Sequence, residues 1–187
     1  SSGHLSPFEH ASFTFAIDGI SRSCSHQLVR HRIASYTQQS QRYVSMKTFD
    51  YVTPDSIASR PEIAAKYRQM AGDCHKLYLE MLDAGIPTED ARFILPNAAE
   101  THIVMTMNAR ELMNASSLRL CLRAQWEIGH LFENIKIEVD RVAPFIATQL
   151  KPKCLHLGYC DERETCGLMP TLKGAEKSKT KETSTGR

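Results

Sequence analysis

Arg30-His31-Arg32-Ile33-Ala34-Ser35-Tyr36-Thr37-Gln38-Gln39-Ser40-Gln41-Arg42-Tyr43 is the stretch on which the reading of this chain turns. It sets two permanent cations around an imidazole, follows them with hydroxyls and amides, and adds a third cation. Guanidinium groups stay protonated at any working pH and offer planar, paired donors to phosphate oxygens. Ser40 and the backbone around it can complete an oxyanion cradle. These residues predict an anionic, phosphate-bearing ligand without fixing a reaction. An arbitrary Arg-His-Arg is more often a solvated surface cluster or the partner of distant acids. The wider sequence has to decide.

Around this stretch the charge is lopsided. Residues 19–49 contain no Asp or Glu, while Arg22, Arg30, Arg32, Arg42 and Lys47 all fall inside. Such a segment needs anions from elsewhere in the chain, from a neighbouring subunit or from a ligand. Over all 187 residues the net charge is only +2, too little for bulk electrostatic capture of nucleic acid. Interleaved exposed aromatics, which an RNA-binding surface would use, are also missing. Hydrophobic residues at 42% and charged residues at 24% fit one globular domain, or one α/β unit with a tail. No apolar run is long enough to cross a bilayer and no signal-peptide pattern opens the chain, so a cytoplasmic protein is expected. Cys24, Cys74 and Cys121 then read as reduced, small apolar core residues.

Several elements can be placed. Residues 12–17 alternate, with Phe13, Phe15 and Ile17 on one face, and predict a half-buried strand closed by Asp18-Gly19. Ser21 or Ser23 can cap a short helix running towards Arg30. Residues 35–45, with seven Ser, Thr or Gln side chains, read as an ordered loop. Ser59-Arg60-Pro61 starts the clearest helix, whose apolar stripe is Ile63, Tyr67, Met70, Cys74, Leu77 and Met81. Thr88, followed by Glu89 and Asp90, is expected to cap a short helix. Residues 101–107 fit either a strand or a buried helical turn. A helix should follow from about Ala109, and another over residues 123–142 with Trp126, Leu131, Ile135, Val139 and Val142 as its core side. Cys154, His156, Cys160 and Cys166 have cysteine spacings of six and six and no C-x-x-C pair. That is a poor zinc pattern, so free thiols and no metal are expected.

The longer pattern, R-H-R then seven residues then Ser, resembles the signature of the flavin-dependent thymidylate synthases, and Arg42 extends the match. Leu5-Ser6-Pro7-Phe8-Glu9-His10 is similar to that family's segment before its first strand. Asn108-Ala109-Arg110-Glu111-Leu112-Met113-Asn114 with Leu118-Arg119 looks like its second flavin and nucleotide region. Ala124-Gln125-Trp126-Glu127-Ile128 matches the helix after that. The matching segments run in the expected order over roughly residues 4–145.

The resemblance implies an α/β fold with helices packed on a mainly antiparallel sheet, assembled as a homotetramer whose sites are shared between subunits. It implies reductive methylation of dUMP to dTMP, with methylenetetrahydrofolate giving the carbon and FAD, reduced by NADPH, the hydride. It assigns Ser6, Glu9, Arg30, His31, Arg32, Asn108, Arg110 and Asn114 to FAD. It assigns Gln27, Gln38, Ser40, Gln41, Arg42 and Arg92 to dUMP, with Arg92 on the phosphate. Arg119 is implied as the catalytic group at the uracil edge, where it stabilises charge built up as C5 becomes nucleophilic. Ser40 is the only nucleophile candidate inside the signature, but no base accompanies it, so it reads as a ligand contact.

Two departures stand out. Many members carry Asn-Glu where this chain has Thr37-Gln38, which keeps hydrogen bonding and removes a carboxylate. Members also have several tens of residues before the Leu5-Ser6-Pro7 segment, so the chain is expected to start inside a longer parent. The alternative reading is a truncated relative that binds flavin or nucleotide without turnover. The expected organisation is a catalytic domain over residues 1–150, a Cys-containing extension over 151–170 and a disordered tail over 171–187.

Overall fold

A computed structural model describes residues 4–172, so the expected tail lies outside the described residues except for Thr171 and Leu172. The chain divides into two compact units, one formed by Ser1–Phe13 with Met107–Arg187 and the other by Thr14–Thr106. A three-stranded sheet carries β1 (Ser12–Ser21), β2 (Ala34–Gln38) and β3 (Glu100–Asn108) in the order β1-β3-β2. The mixed α/β expectation therefore holds, with an antiparallel sheet.

The register of β1 on β3 explains one difference from the sequence reading. The Ala109 amide bonds to Ala11 O, the Thr14 hydroxyl meets that of Thr106, and Asp18 meets His102. Each step along one strand is a step back along the other. At the far end the Arg22 amide reaches Ala99 O, one residue out of step. The extra residue lies at Gly19, whose φ of 71° is open to glycine and costly to others. Asp18-Gly19 therefore makes a bulge and does not end the strand. Ile17 and Ile20 are both buried because the in-out alternation slips there.

Residues 35–45 also depart from expectation, since their first part is strand β2. Its Tyr36 hydroxyl and Gln38 amide find partners inside the protein, while Ser35 and Thr37 are exposed. The unit over Thr14–Thr106 also holds α1 (Arg22–Leu28), α2 (Asp55–Ala58), α3 (Pro61–Asp83) and α4 (Thr88–Ala91). Ser21 caps α1 by accepting from the Cys24 amide at 3.0 Å. Thr88 does not cap α4; Pro87 takes that place and Thr88 is the first helical residue. In α3 the buried positions are Ala64, Ala71 and Tyr78, seven apart, while Ile63, Met70 and Leu77 are exposed by 49%, 63% and 40%. Small alanines allow close approach and define the inner face, a signal that counting large apolar residues misses. Tyr78 completes this core with Met46 and Ala91, and its hydroxyl accepts from the Met46 amide.

In the other unit, a 3-10 segment Ser6–His10 packs on α5 (Ala109–Arg119), which follows β3 directly. α6 (Trp126–Val142), α7 (Pro144–Ala147) and α8 (Lys153–Leu157) complete it. α6 begins at Trp126 instead of residue 123, because the Gln125 side chain caps it by accepting from the Ile128 amide. Ile128, Leu131, Phe132, Ile135 and Val139 form its inner face, whereas Trp126 and Val142 are exposed. Of the three cysteines expected in the core, Cys24 is buried but Cys74 and Cys121 are only partly so. Among the described residues, no helix is long and apolar enough to cross a membrane.

Candidate nucleotide and flavin site

The R-H-R segment leaves α1 in a pinned turn. The Tyr36 hydroxyl lies 2.9 Å from both Leu28 O and His31 O, and the His31 amide bonds to Leu28 O. This turn buries His31 to 6% exposure and faces Arg30 and Arg32 outward. Neither guanidinium is held by a carboxylate among the described residues. The three residues therefore divide into two open cations and one packed imidazole.

Further along, the side chains draw together. Arg22 donates to Gln41 Oε1 at 3.1 Å. Burial, and then the nearby Arg92, lower the Arg22 pKa, so two guanidinium groups stand close to one another. Arg92 donates through Nε to Glu89 O, and Arg42 pairs through Nε with Glu89 Oε2 at 2.5 Å. Among these five side chains, three cations face one carboxylate, leaving two positive charges uncompensated. A phosphate monoester carries nearly the matching charge at neutral pH. The Arg42–Glu89 pair is about half exposed, so it is worth at most about 1 kcal/mol and can yield to a ligand. Sequence reasoning found Gln41, Arg42 and Arg92 but treated Arg22 only as part of a basic stretch. Its separation from Arg92 hid the relation, although the missing acids were a signal.

Other expected contacts belong to the same unit. Ser40 Oγ accepts from the Arg42 amide at 3.2 Å, and Ser40 O accepts from Val44, closing a turn. Gln27 is half-buried in the last turn of α1. Gln38 donates from Nε2 to Ser25 Oγ at 2.9 Å and Thr101 Oγ1 at 3.1 Å. It is thus held by internal hydroxyls.

The remaining assigned residues belong to the other unit. Ser6 and Glu9 are exposed on the 3-10 segment that packs on α5, and Arg110 and Asn114 are exposed on α5 itself. Asn108 caps that helix by accepting from the Glu111 amide at 2.9 Å, and Asn114 donates to Glu111 Oε2. Arg119 is the last residue of α5 and is partly buried. A small cavity also lies in this unit, lined by Cys121, Cys154, Cys160, Cys166, Arg123 and Lys153 among others. Burial and the three other thiols push the Cys154 thiol up. His156, grouped with these cysteines by sequence, does not line the cavity, and Cys121 does.

The family model described as "Thymidylate synthase complementing protein" matches residues 1–145. The chain belongs to the flavin-dependent thymidylate synthase family. It is 50% identical over 176 residues to the flavin-dependent thymidylate synthase of Pyrococcus abyssi, covering 90% of this chain and 71% of that protein. The protein of that name from Geobacter sulfurreducens is 51% identical over 174 residues, covering 91% and 75%. That of Clostridium tetani is 44% identical over 193 residues, covering 95% and 76%. The family's flavin asks for anion-binding and polar groups; Arg30 and Arg32 face outward in one unit, and Arg110 and Asn114 are exposed in the other.

Proposed function

We propose that this chain catalyses reductive methylation of dUMP to dTMP. Methylenetetrahydrofolate is the carbon donor and NADPH the source of reducing equivalents. When bound, FAD supplies the hydride chemistry. The observation that carries this reading is the cluster of Arg22, Gln41, Arg42, Glu89 and Arg92 with its two uncompensated positive charges.

The dUMP phosphate binds to Arg22, Arg42 and Arg92, displacing the half-exposed grip of Glu89. Ser40, Gln41, Gln27 and Gln38 line the rest of the nucleotide position. Gln38 acts through the hydroxyls it anchors, because its amide protons are engaged there. Arg30 and Arg32 hold the charged part of FAD, and the packed His31 fixes the turn that presents them. Ser6, Glu9, Asn108, Arg110 and Asn114 supply further flavin contacts. Arg119 acts at the uracil edge, where a fixed guanidinium stabilises negative charge on the ring oxygens and N3 as C5 attacks the carbon donor. No protein nucleophile is required.

The catalytic domain spans residues 1–150, with a Cys-containing extension after it. The enzyme is a homotetramer with shared sites, and its nucleotide and folate substrates place it in the cytoplasm. The visible spectrum of the purified protein tests flavin binding, and dTMP formation from dUMP, NADPH and methylenetetrahydrofolate tests turnover. Arg119→Ala is expected to abolish turnover while flavin stays bound. Full activity in that variant would remove Arg119 from the mechanism. A yellow wild-type protein that makes no dTMP would reduce the reading to a flavin binder.

A further inference from the structure

The extension after Leu150 poses a stability problem that its own side chains do not solve. Residues 151–172 contain one five-residue helix, one isolated bridge from Cys160 to Thr171, and little else that is regular. Leu155, Leu157, Leu168 and Leu172 are each at least 40% exposed, and the buried residue in this stretch is Cys160. A core-poor segment of this length ordinarily needs a disulfide or a metal to hold it. All its cysteines are free thiols. They converge instead, with Cys154, Cys160 and Cys166 meeting Cys121 from beyond the end of α5 at one cavity of about 20 Å³. That volume suits one water-sized occupant.

The surrounding contacts shape this cavity. Lys153 pairs with Asp161 and ties α8 to the loop carrying Cys160. Arg123 donates to Glu164 O at 2.8 Å and to Glu164 Oε2 at 3.1 Å, holding the approach to Cys166 near Cys121. The Cys160 amide bonds to Pro170 O at 2.7 Å. Gly167, with φ 87°, makes the turn directly after Cys166 that a side chain would resist.

We propose that Cys121, Cys154, Cys160 and Cys166 form a structural zinc site that staples the extension to α5. Four sulfur donors suit a tetrahedral divalent ion of borderline softness, and four ligands with no open position make a closed, non-catalytic centre. Among the described residues, no group of three or more His, Cys, Asp or Glu is arranged so that it could hold a metal ion as it stands. Binding therefore draws the thiols inward as four S–H protons pass to solvent and four sulfur–metal bonds form.

The test uses the full chain purified under reducing conditions without chelator. Elemental analysis is expected to give one zinc per chain. Cobalt(II) exchanged into the site should show thiolate-to-metal charge transfer and the visible bands of tetrahedral sulfur ligation. Cys154→Ser and Cys166→Ser should each weaken binding by more than the roughly 10- to 100-fold typical of losing an outer-shell partner. Cys74→Ser, on α3, should keep the metal and serves as the control. Trace metal only with all six thiols free to react would overturn the site. So would an intact mass showing a disulfide among these four cysteines in chelator-free protein. Should the serine variants fail to fold, a wild-type cobalt spectrum without sulfur charge transfer overturns it equally.

Discussion

Gln38 shows how one polar atom type can be set by its neighbours. Ser25 gives its hydroxyl proton to Arg22 O at 2.9 Å, so its oxygen is left to accept. The two amide protons of Gln38 serve Ser25 and Thr101, both almost fully buried. A carboxylate has no proton to give either oxygen. We therefore expect Gln38→Glu to cost about 1–3 kcal/mol, read as a lowered Tm, with Gln38→Met milder because it adds no charge. An unchanged Tm in the glutamate variant would contradict this. Arg22→Ala should weaken dUMP binding roughly 10- to 100-fold, as loss of a charge-assisted contact does. Gln41→Ala should lose less, and the pair should be non-additive, since one group positions the other. Calorimetric titration of the three variants with dUMP checks the pattern, and simple additivity would separate the two residues.

At the scale of elements, capped helices were legible because their ends carry a local chemical signature. Ser21 before α1 and Pro61 opening α3 mark boundaries the sequence shows, whereas the Gln125 cap that starts α6 at Trp126 was not read from it. Burial was less legible. The inner face of α3 is set by Ala64 and Ala71, whose smallness matters only because something packs there. β2 looked like a loop because its inward amide, on Gln38, finds a partner far away in sequence at Thr101. The same distance hid Arg22 from Arg92, whereas the R-H-R motif was visible at once because its parts are adjacent. The bulge in β1 yields a direct test. A methyl group at Gly19 would meet Glu100 Oε2 at 3.7 Å, an ordinary contact, so Gly19→Ala is opposed by backbone conformation alone. We expect a loss of about 1–2 kcal/mol by denaturant unfolding, with Gly19→Asn recovering part of it. Equal stability of alanine and glycine here would mean the strand can shed its bulge.

For the whole molecule, the shared-site reading makes flavin retention depend on assembly. Sedimentation followed at flavin and protein wavelengths should show colour travelling with a four-chain species, and dilution to smaller species should release it. Flavin on a stable single chain would refute shared sites. The division of the chain also sets an order of events during synthesis. Residues 14–106 form one unit as a continuous run, whereas the other unit joins residues up to Phe13 to a partner beginning at Met107. The 3-10 segment Ser6–His10 must therefore wait for α5 to be made. At ribosomal speed that wait is roughly 5 to 20 seconds. Until α5 emerges the Ser6–His10 segment has no helix to pack on, and for that interval chaperones and proteases can reach it.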